Sequence, residues 1–215
     1  MNHELVSILF NLKAEEFAQK ETRSAAHELK QVLDLFLSVN GLSLSIDKID
    51  FRRFVPYFIS TQPNPGPLDS AISVNADTIA EKLGRTANWI TPMTFISIFS
   101  ILECYLLGIK EHIEAHQIRK SVFDYLLAYY EQQASKLRPL IPDKFDGIVT
   151  CLNELKTLNT PRNKFAHRRK QNGNKYDFTI TLPEVLSAWL YAMFLLVAID
   201  DLLMQGALSE VRNGS

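Results

Sequence analysis

Cysteine is scarce in this chain: two in 215 residues, Cys104 and Cys151. Two cysteines do not build a disulfide framework or the multi-Cys knuckle of a structural zinc site. Both lie in apolar stretches and are expected to be buried free thiols. Glycine (8) and proline (9) are also few, which argues against a turn-rich β architecture and for long helices. Nor does one sign of charge dominate. Lys and Arg number 23 against 24 Asp and Glu, a net charge of −1. No global field therefore draws the molecule to nucleic acid or to a membrane, and such a partner must be met by local charge. The first ten residues have no basic run and carry Glu4 early, so no secretory leader is read there. The expected location is the cytoplasm.

What is present is ample apolar material. The sequence is 47% hydrophobic and 22% charged, enough for a substantial core. Apolar residues recur at helical spacing over Glu4 to Lys20 (Leu5, Ile8, Leu9, Leu12, Phe17) and again from Ser24 through Phe36 to a stop at Gly41. Residues 46–59 are mixed and limited by Pro56. Residues 61–67, Thr-Gln-Pro-Asn-Pro-Gly-Pro, form a loop and the clearest boundary in the chain. Thr91-Pro92 reads as an N-cap followed by proline at the first helical position, opening a long helix to about Glu114. Ile118 to Leu137 is the next helix, and Pro142 opens another. Thr160-Pro161 repeats the Thr-Pro signal, placing Arg162 to His167 in the first turns of a helix or in a kinked continuation. Tyr176 to Thr181 alternates weakly like a strand, and Leu182-Pro183-Glu184 opens a last helix through Leu203. The fold class expected is all-α, an antiparallel helical bundle. Residues 70–207 would form the bundle, with an N-terminal helical extension over 1–69 and a tail at 208–215.

One stretch raises the question of a membrane span. Ile90 to Ile109 carries a single charge, Glu103, and approaches spanning length. Thr91, Thr94, Ser97, Ser100 and Glu103 nevertheless recur every three residues, a polar stripe that suits a bundle helix with one special side. No membrane partner is expected. Glu103 is the most informative lone charge, because a buried carboxylate needs a partner. Arg162 or His167 would serve, and so would a core Tyr or Lys.

The strongest local charge runs from Arg162 to Lys175. Arg162, Lys164, Arg168, Arg169, Lys170 and Lys175 fall there with no acid between them. Such a run suits phosphate binding, although a solvated loop has the same composition. Asn163 and His167 are four apart and share a helix face, where an amide can fix an imidazole tautomer. An Arg for phosphate charge beside a His that titrates near neutrality is a minimal kit for phosphodiester cleavage, with a 2′-hydroxyl as nucleophile and no metal or cofactor.

Arg162-Asn163-Lys164-Phe165-Ala166-His167 resembles the Arg-x4-6-His signature of HEPN domains (higher eukaryotes and prokaryotes nucleotide-binding). The apolar helix carrying Ser100-Ile101-Leu102-Glu103-Cys104-Tyr105-Leu106 upstream and the apolar helix Leu186 to Leu203 downstream fit the same pattern, over about residues 90–206. The resemblance implies a helical bundle that pairs as a homodimer, with both Arg–His motifs lining one cleft. It also implies a metal-independent endoribonuclease of a toxin–antitoxin or phage-defence type, with an antitoxin or nucleotidyltransferase partner. Arg162 would then stabilise the phosphorane-like transition state and His167 would act as general acid or base. Asn163 would orient it, Glu103 would support it from the neighbouring helix, and Lys164, Arg168, Arg169 and Lys170 would hold RNA. Some toxin members carry Tyr two residues after the His. Arg169 stands there in this chain, so that branch is not assigned. Other members are non-catalytic RNA-binding, nucleotide-binding or interaction modules.

Three weaker signals remain. His112 and His116 have a metal-compatible i,i+4 spacing, but no third ligand declares itself, and an exposed helix end is expected instead. Residues 79–84 have the small-residue spacing of a helix-turn-helix, but Pro92 would fall in the recognition helix. Phe123, Tyr125, Tyr129 and Tyr130 have base-stacking chemistry, but their helical spacing favours core.

Overall fold

The computed structural model describes residues 3–39, 87–115, 121–167 and 180–211, and the side chains in these segments except at 3–5, 39, 87–89, 161, 163–167 and 182. Among the described residues the regular secondary structure is all helical, apart from one isolated antiparallel bridge. The helices are α1 (His3–Asn11), α2 (Lys20–Val39), α3 (Ala87–Leu107), α4 (Lys110–Ala115), α5 (Val122–Gln132), α6 (Ala134–Leu137), α7 (Pro142–His167) and α8 (Leu182–Met204). A 3-10 turn, Ala14–Glu16, lies between α1 and α2. The all-α expectation matches this architecture. The loop at 61–67, the mixed stretch at 46–59, the helix-turn-helix-like residues 79–84 and His116 lie outside the described residues.

Helix α8 is the hub. It packs against α7, α3, α2 and α1, and its apolar residues are buried nearly all round, with Trp189, Met193, Leu195, Leu196 and Leu202 at 0% exposure. A helix apolar on every side belongs in the middle of a protein or in a membrane. Pro183–Met204 and Ile90–Leu107 are both long and apolar enough to cross a bilayer, and 78% of the first is buried inside the protein against 44% of the second. The start of α8 is set locally. The Thr181 hydroxyl accepts from the Glu184 amide while the Glu184 carboxylate accepts from the Thr181 amide, a capping box, and Pro183 sits in the first turn.

Two neighbours run antiparallel to α8. Asp200 accepts the amides of Ala18 and Gln19 at 2.8 and 3.0 Å, while the Trp189 indole donates to the Leu29 carbonyl at 2.9 Å. As the chain climbs α2 it descends α8. On the other side Lys144 pairs with Asp201, and Gly147 faces Phe194 so closely that a Cβ would stand 2.4 Å from the ring. Only a residue without a side chain lets α7 and α8 approach there. One continuous core runs from Val6 to Leu208 and includes α1 and α2 (Leu9, Phe10, Leu29, Leu33, Phe36) alongside the later helices.

Several boundaries differ from those read in the sequence, two of them through a distant contact. The first helix ends at Asn11 instead of Lys20, and α2 begins at Lys20 instead of Ser24, because the Asp200 carboxylate takes the amides just before it. Pro92 lies inside α3, five residues past its start, and not at its first position. Helix α3 stops at Leu107, where Gly108 to Lys110 pair with Ser209 to Val211 (Lys110 amide to Ser209 carbonyl 2.8 Å, Val211 amide to Gly108 carbonyl 2.9 Å). The expected helix to Glu114 is thus divided in two. Thr160-Pro161 starts no helix. It lies within the 26-residue α7, a continuation that carries the Arg162 to His167 segment in its last two turns.

Candidate functional site

Arg162 and Glu103 come together. Glu103 sits near the end of α3 and Arg162 near the end of α7, 59 residues later. The Arg162 Nη2 donates to Glu103 Oε2 at 2.6 Å, with the two side chains 20% and 24% exposed. That separation is short even for a charge-assisted bond. The apolar surroundings explain the pairing. Leu102, one residue before Glu103, and Leu106, three residues after it, are at 0% exposure, and a carboxylate this close to a core needs a cation or strong donors. The pair still meets solvent on one side, so the guanidinium is held at the edge of the bundle. Arg162 makes further contacts beyond this bond.

The rest of the motif is placed by its backbone alone. Asn163 and His167 occupy one helical stretch four residues apart, which puts them on one face of α7. The side chains of Asn163, Lys164 and His167, together with Arg168, Arg169 and Lys170, lie outside the described residues. On the N-terminal side of Arg162, α7 presents a shallow polar depression of about 610 Å³ lined by Asn153, Glu154, Lys156, Thr157 and Thr160. Lys156 there also reaches Asp124 of α5 at 2.6 Å. Among the described residues no three His, Cys, Asp or Glu side chains are grouped to hold a metal.

No protein-family model, curated protein or solved structure matches this chain. The HEPN resemblance therefore rests on the residues that carry it.

Other candidates are redistributed. His112, expected at an exposed helix end, is 1% exposed. Its ring lies 5.8 Å from both Tyr129 and Tyr130, and its Nε2 shares a 3.3 Å hydrogen bond with the Tyr130 hydroxyl. Burial holds its pKa down at about 4, against the opposing pull of the Leu106 carbonyl and Glu111. It is a neutral core histidine at physiological pH. Phe123, Tyr125 and Tyr130 are buried, the core role expected of them. Cys151 is buried too, and burial pushes its thiol up to about 12. Cys104, also expected inside, is instead exposed. It falls one residue after Glu103, on a different face of α3.

Cys104 opens onto a concave feature that the sequence reading missed, a groove of about 800 Å³ between α2, α3 and the Glu210–Val211 segment. Its signal was present in the spacing. Glu21, Ser24, Ala25 and Glu28 stand at i, i+3, i+4 and i+7, one face of α2, and Ser100, Ile101, Cys104 and Tyr105 form one face of α3. Nothing local said that these two faces would oppose each other. The Thr22–Tyr105 hydroxyl pair, 2.9 Å and buried, fixes that register.

Proposed function

We propose that this chain acts on RNA at the C-terminal turns of α7, as a metal-independent endoribonuclease working as a dimer in the cytoplasm. The observation that carries the reading is the Arg162–Glu103 pair. It holds a guanidinium at a solvent-facing edge, at the head of a run of six basic residues with no acid between them. In the reaction, the ribose 2′-oxygen attacks the adjacent phosphorus and the 5′-oxygen of the next nucleotide leaves. The products are a 2′,3′-cyclic phosphate and a free 5′-hydroxyl. His167 takes the 2′-hydroxyl proton or delivers one to the leaving oxygen. Arg162 stabilises the extra negative charge of the five-coordinate phosphorus, and Asn163 orients the imidazole. Glu103 positions Arg162. Lys164, Arg168, Arg169 and Lys170 hold the flanking phosphates. A second protomer completes the cleft, and an antitoxin or nucleotidyltransferase partner would restrain it.

The test is incubation of the purified protein with mixed-sequence RNA in EDTA, beside Arg162→Ala and His167→Ala. Wild type alone should yield cyclic-phosphate ends, with losses of about 100-fold or more in each variant. Equal cleavage by His167→Ala would end the catalytic reading. The Glu103 contact also favours a second reading, a non-catalytic binding module, because it neutralises the arginine when no ligand is bound. That module predicts RNA binding that weakens steeply with salt, with no products.

A further inference from the structure

The α2–α3 groove lies apart from the Arg162 site and has a different chemistry. Its floor is apolar, formed by Ala25, Ile101, Tyr105 and Ile109, and Leu107, Ile113 and Val211 stand partly exposed at its edges (38% each). Three carboxylates line it, Glu21 and Glu28 on α2 and Glu210 opposite, and among the described residues no Lys, Arg or His does so. None of the three carboxylates has an ion pair among the described residues.

Glu210 is the most telling of them. It bridges Ile109 in the short antiparallel pairing, so its side chain leaves the backbone on the same side as the buried Ile109. Its Oε1 is buried and has no hydrogen-bond partner among the described residues. Burial raises its pKa, and the nearby Glu21 and Asp200 raise it further. Leaving a buried acceptor unsatisfied beside like charges is unfavourable, and a cation arriving from outside removes both costs. The wall is rigid: the Glu111 carboxylate accepts the Ser209 amide at 2.8 Å and its hydroxyl at 2.6 Å, pinning the residue next to Glu210.

We propose that this groove is a docking site for a cationic amphipathic helix of a partner protein. The spacing sets the ligand. Glu21 and Glu28 are seven residues apart on one helix face, about 10 Å. A helix lying in the groove with Lys or Arg at i and i+7 meets both, while its apolar residues at i+3 and i+4 cover Ile101 and Tyr105. Charge complementarity selects a basic partner, and the apolar floor selects a helix over a small polycation.

The probe is a fluorescein-labelled helical peptide with Lys at i and i+7 and Leu at i+3 and i+4 of one face, read by anisotropy, with a peptide carrying Glu in place of Lys as control. The Lys peptide should bind and the Glu peptide should not. Glu21→Gln, Glu28→Gln and Glu210→Gln together should weaken binding roughly tenfold, about the sum expected of a few partly exposed ion pairs. Ile101→Arg, at a partly exposed position, should abolish binding without unfolding the protein, as circular dichroism would check. Arg162→Ala should bind like wild type, which separates this site from the RNA reading. Equal binding of both peptides, or an unaffected triple Gln variant, overturns the proposal. So does complete displacement by spermine, which would make the occupant a polyamine. A rise in peptide affinity in Arg52→Glu/Arg53→Glu also overturns it, since the occupant would then be this chain's own Phe51-Arg52-Arg53-Phe54 segment.

Discussion

Two polar pairs are set into this bundle, and they are opposites. At the α4–α5 end, His112 and Tyr130 are sealed in aromatic surroundings at 1% and 0% exposure, and neither is charged at neutral pH. At the α3–α7 edge, Arg162 and Glu103 bond through opposite charges and keep about a fifth of their surface in solvent. The first ties two consecutive helices together and the second two helices far apart in sequence. Only the second leaves charge where an anionic ligand can reach it. A histidine beside acids in a sequence invites a functional reading, yet His112 is a packing residue, while a lone glutamate in an apolar run marks the edge of the candidate site.

The comparison can be broken most forcefully by acid. His112 has a folded pKa near 4 against 6.5 for the free side chain, so between these values the unfolded chain binds the extra proton. Its contribution is fully present above about pH 6.5 and is lost as the pH falls to about 4, a change of about 3 kcal/mol. Urea melts of wild type across that window should show the loss, and His112→Gln should flatten it. An unchanged slope in the variant would mean that the histidine is not sealed. A smaller effect is expected at the edge pair. A double-mutant cycle on Arg162→Ala and Glu103→Ala should give a coupling of about 1 kcal/mol, reduced by added salt because the pair is partly solvated. Smaller still is Lys144–Asp201, whose side chains are 37% and 33% exposed. Its coupling should be about 0.5 kcal/mol or less. If that pair couples more strongly than Arg162 and Glu103, exposure is not what ranks the pairs.

What the sequence disclosed follows the range of the interactions. The start of α8 was legible because Thr181, Pro183 and Glu184 make its cap among themselves. Glu103 announced that it needed a partner, but choosing Arg162 over His167 or a core tyrosine required knowing how α7 lies on α3. The end of α3 at Leu107 was not legible, because the residues that divide it from α4 are Ser209 to Val211, about a hundred positions on. The burial of His112 depends on Tyr129 and Tyr130 of another helix, and the groove on two helix faces that meet only after folding. Asn163, Lys164 and His167 are fixed here by backbone position alone, so the proposed catalytic roles of this half of the candidate site stand on the motif and its helix.

The Asp200 clamp has a consequence for the order of events in synthesis. The carboxylate that receives the amides of Ala18 and Gln19 lies more than 180 residues downstream, and the carbonyl that receives the Trp189 indole lies 160 residues upstream of it. Helix α8 follows α1, α2, α3 and α7 in the chain, so it leaves the ribosome after them, and all four pack on it. Until it emerges, the apolar faces of the earlier helices have no completed core to enter. Contacts this distant close slowly, and the chain presents adhesive apolar surface until α8 has been made. The apolar faces of α1 to α3 thus wait for α8 before they are covered.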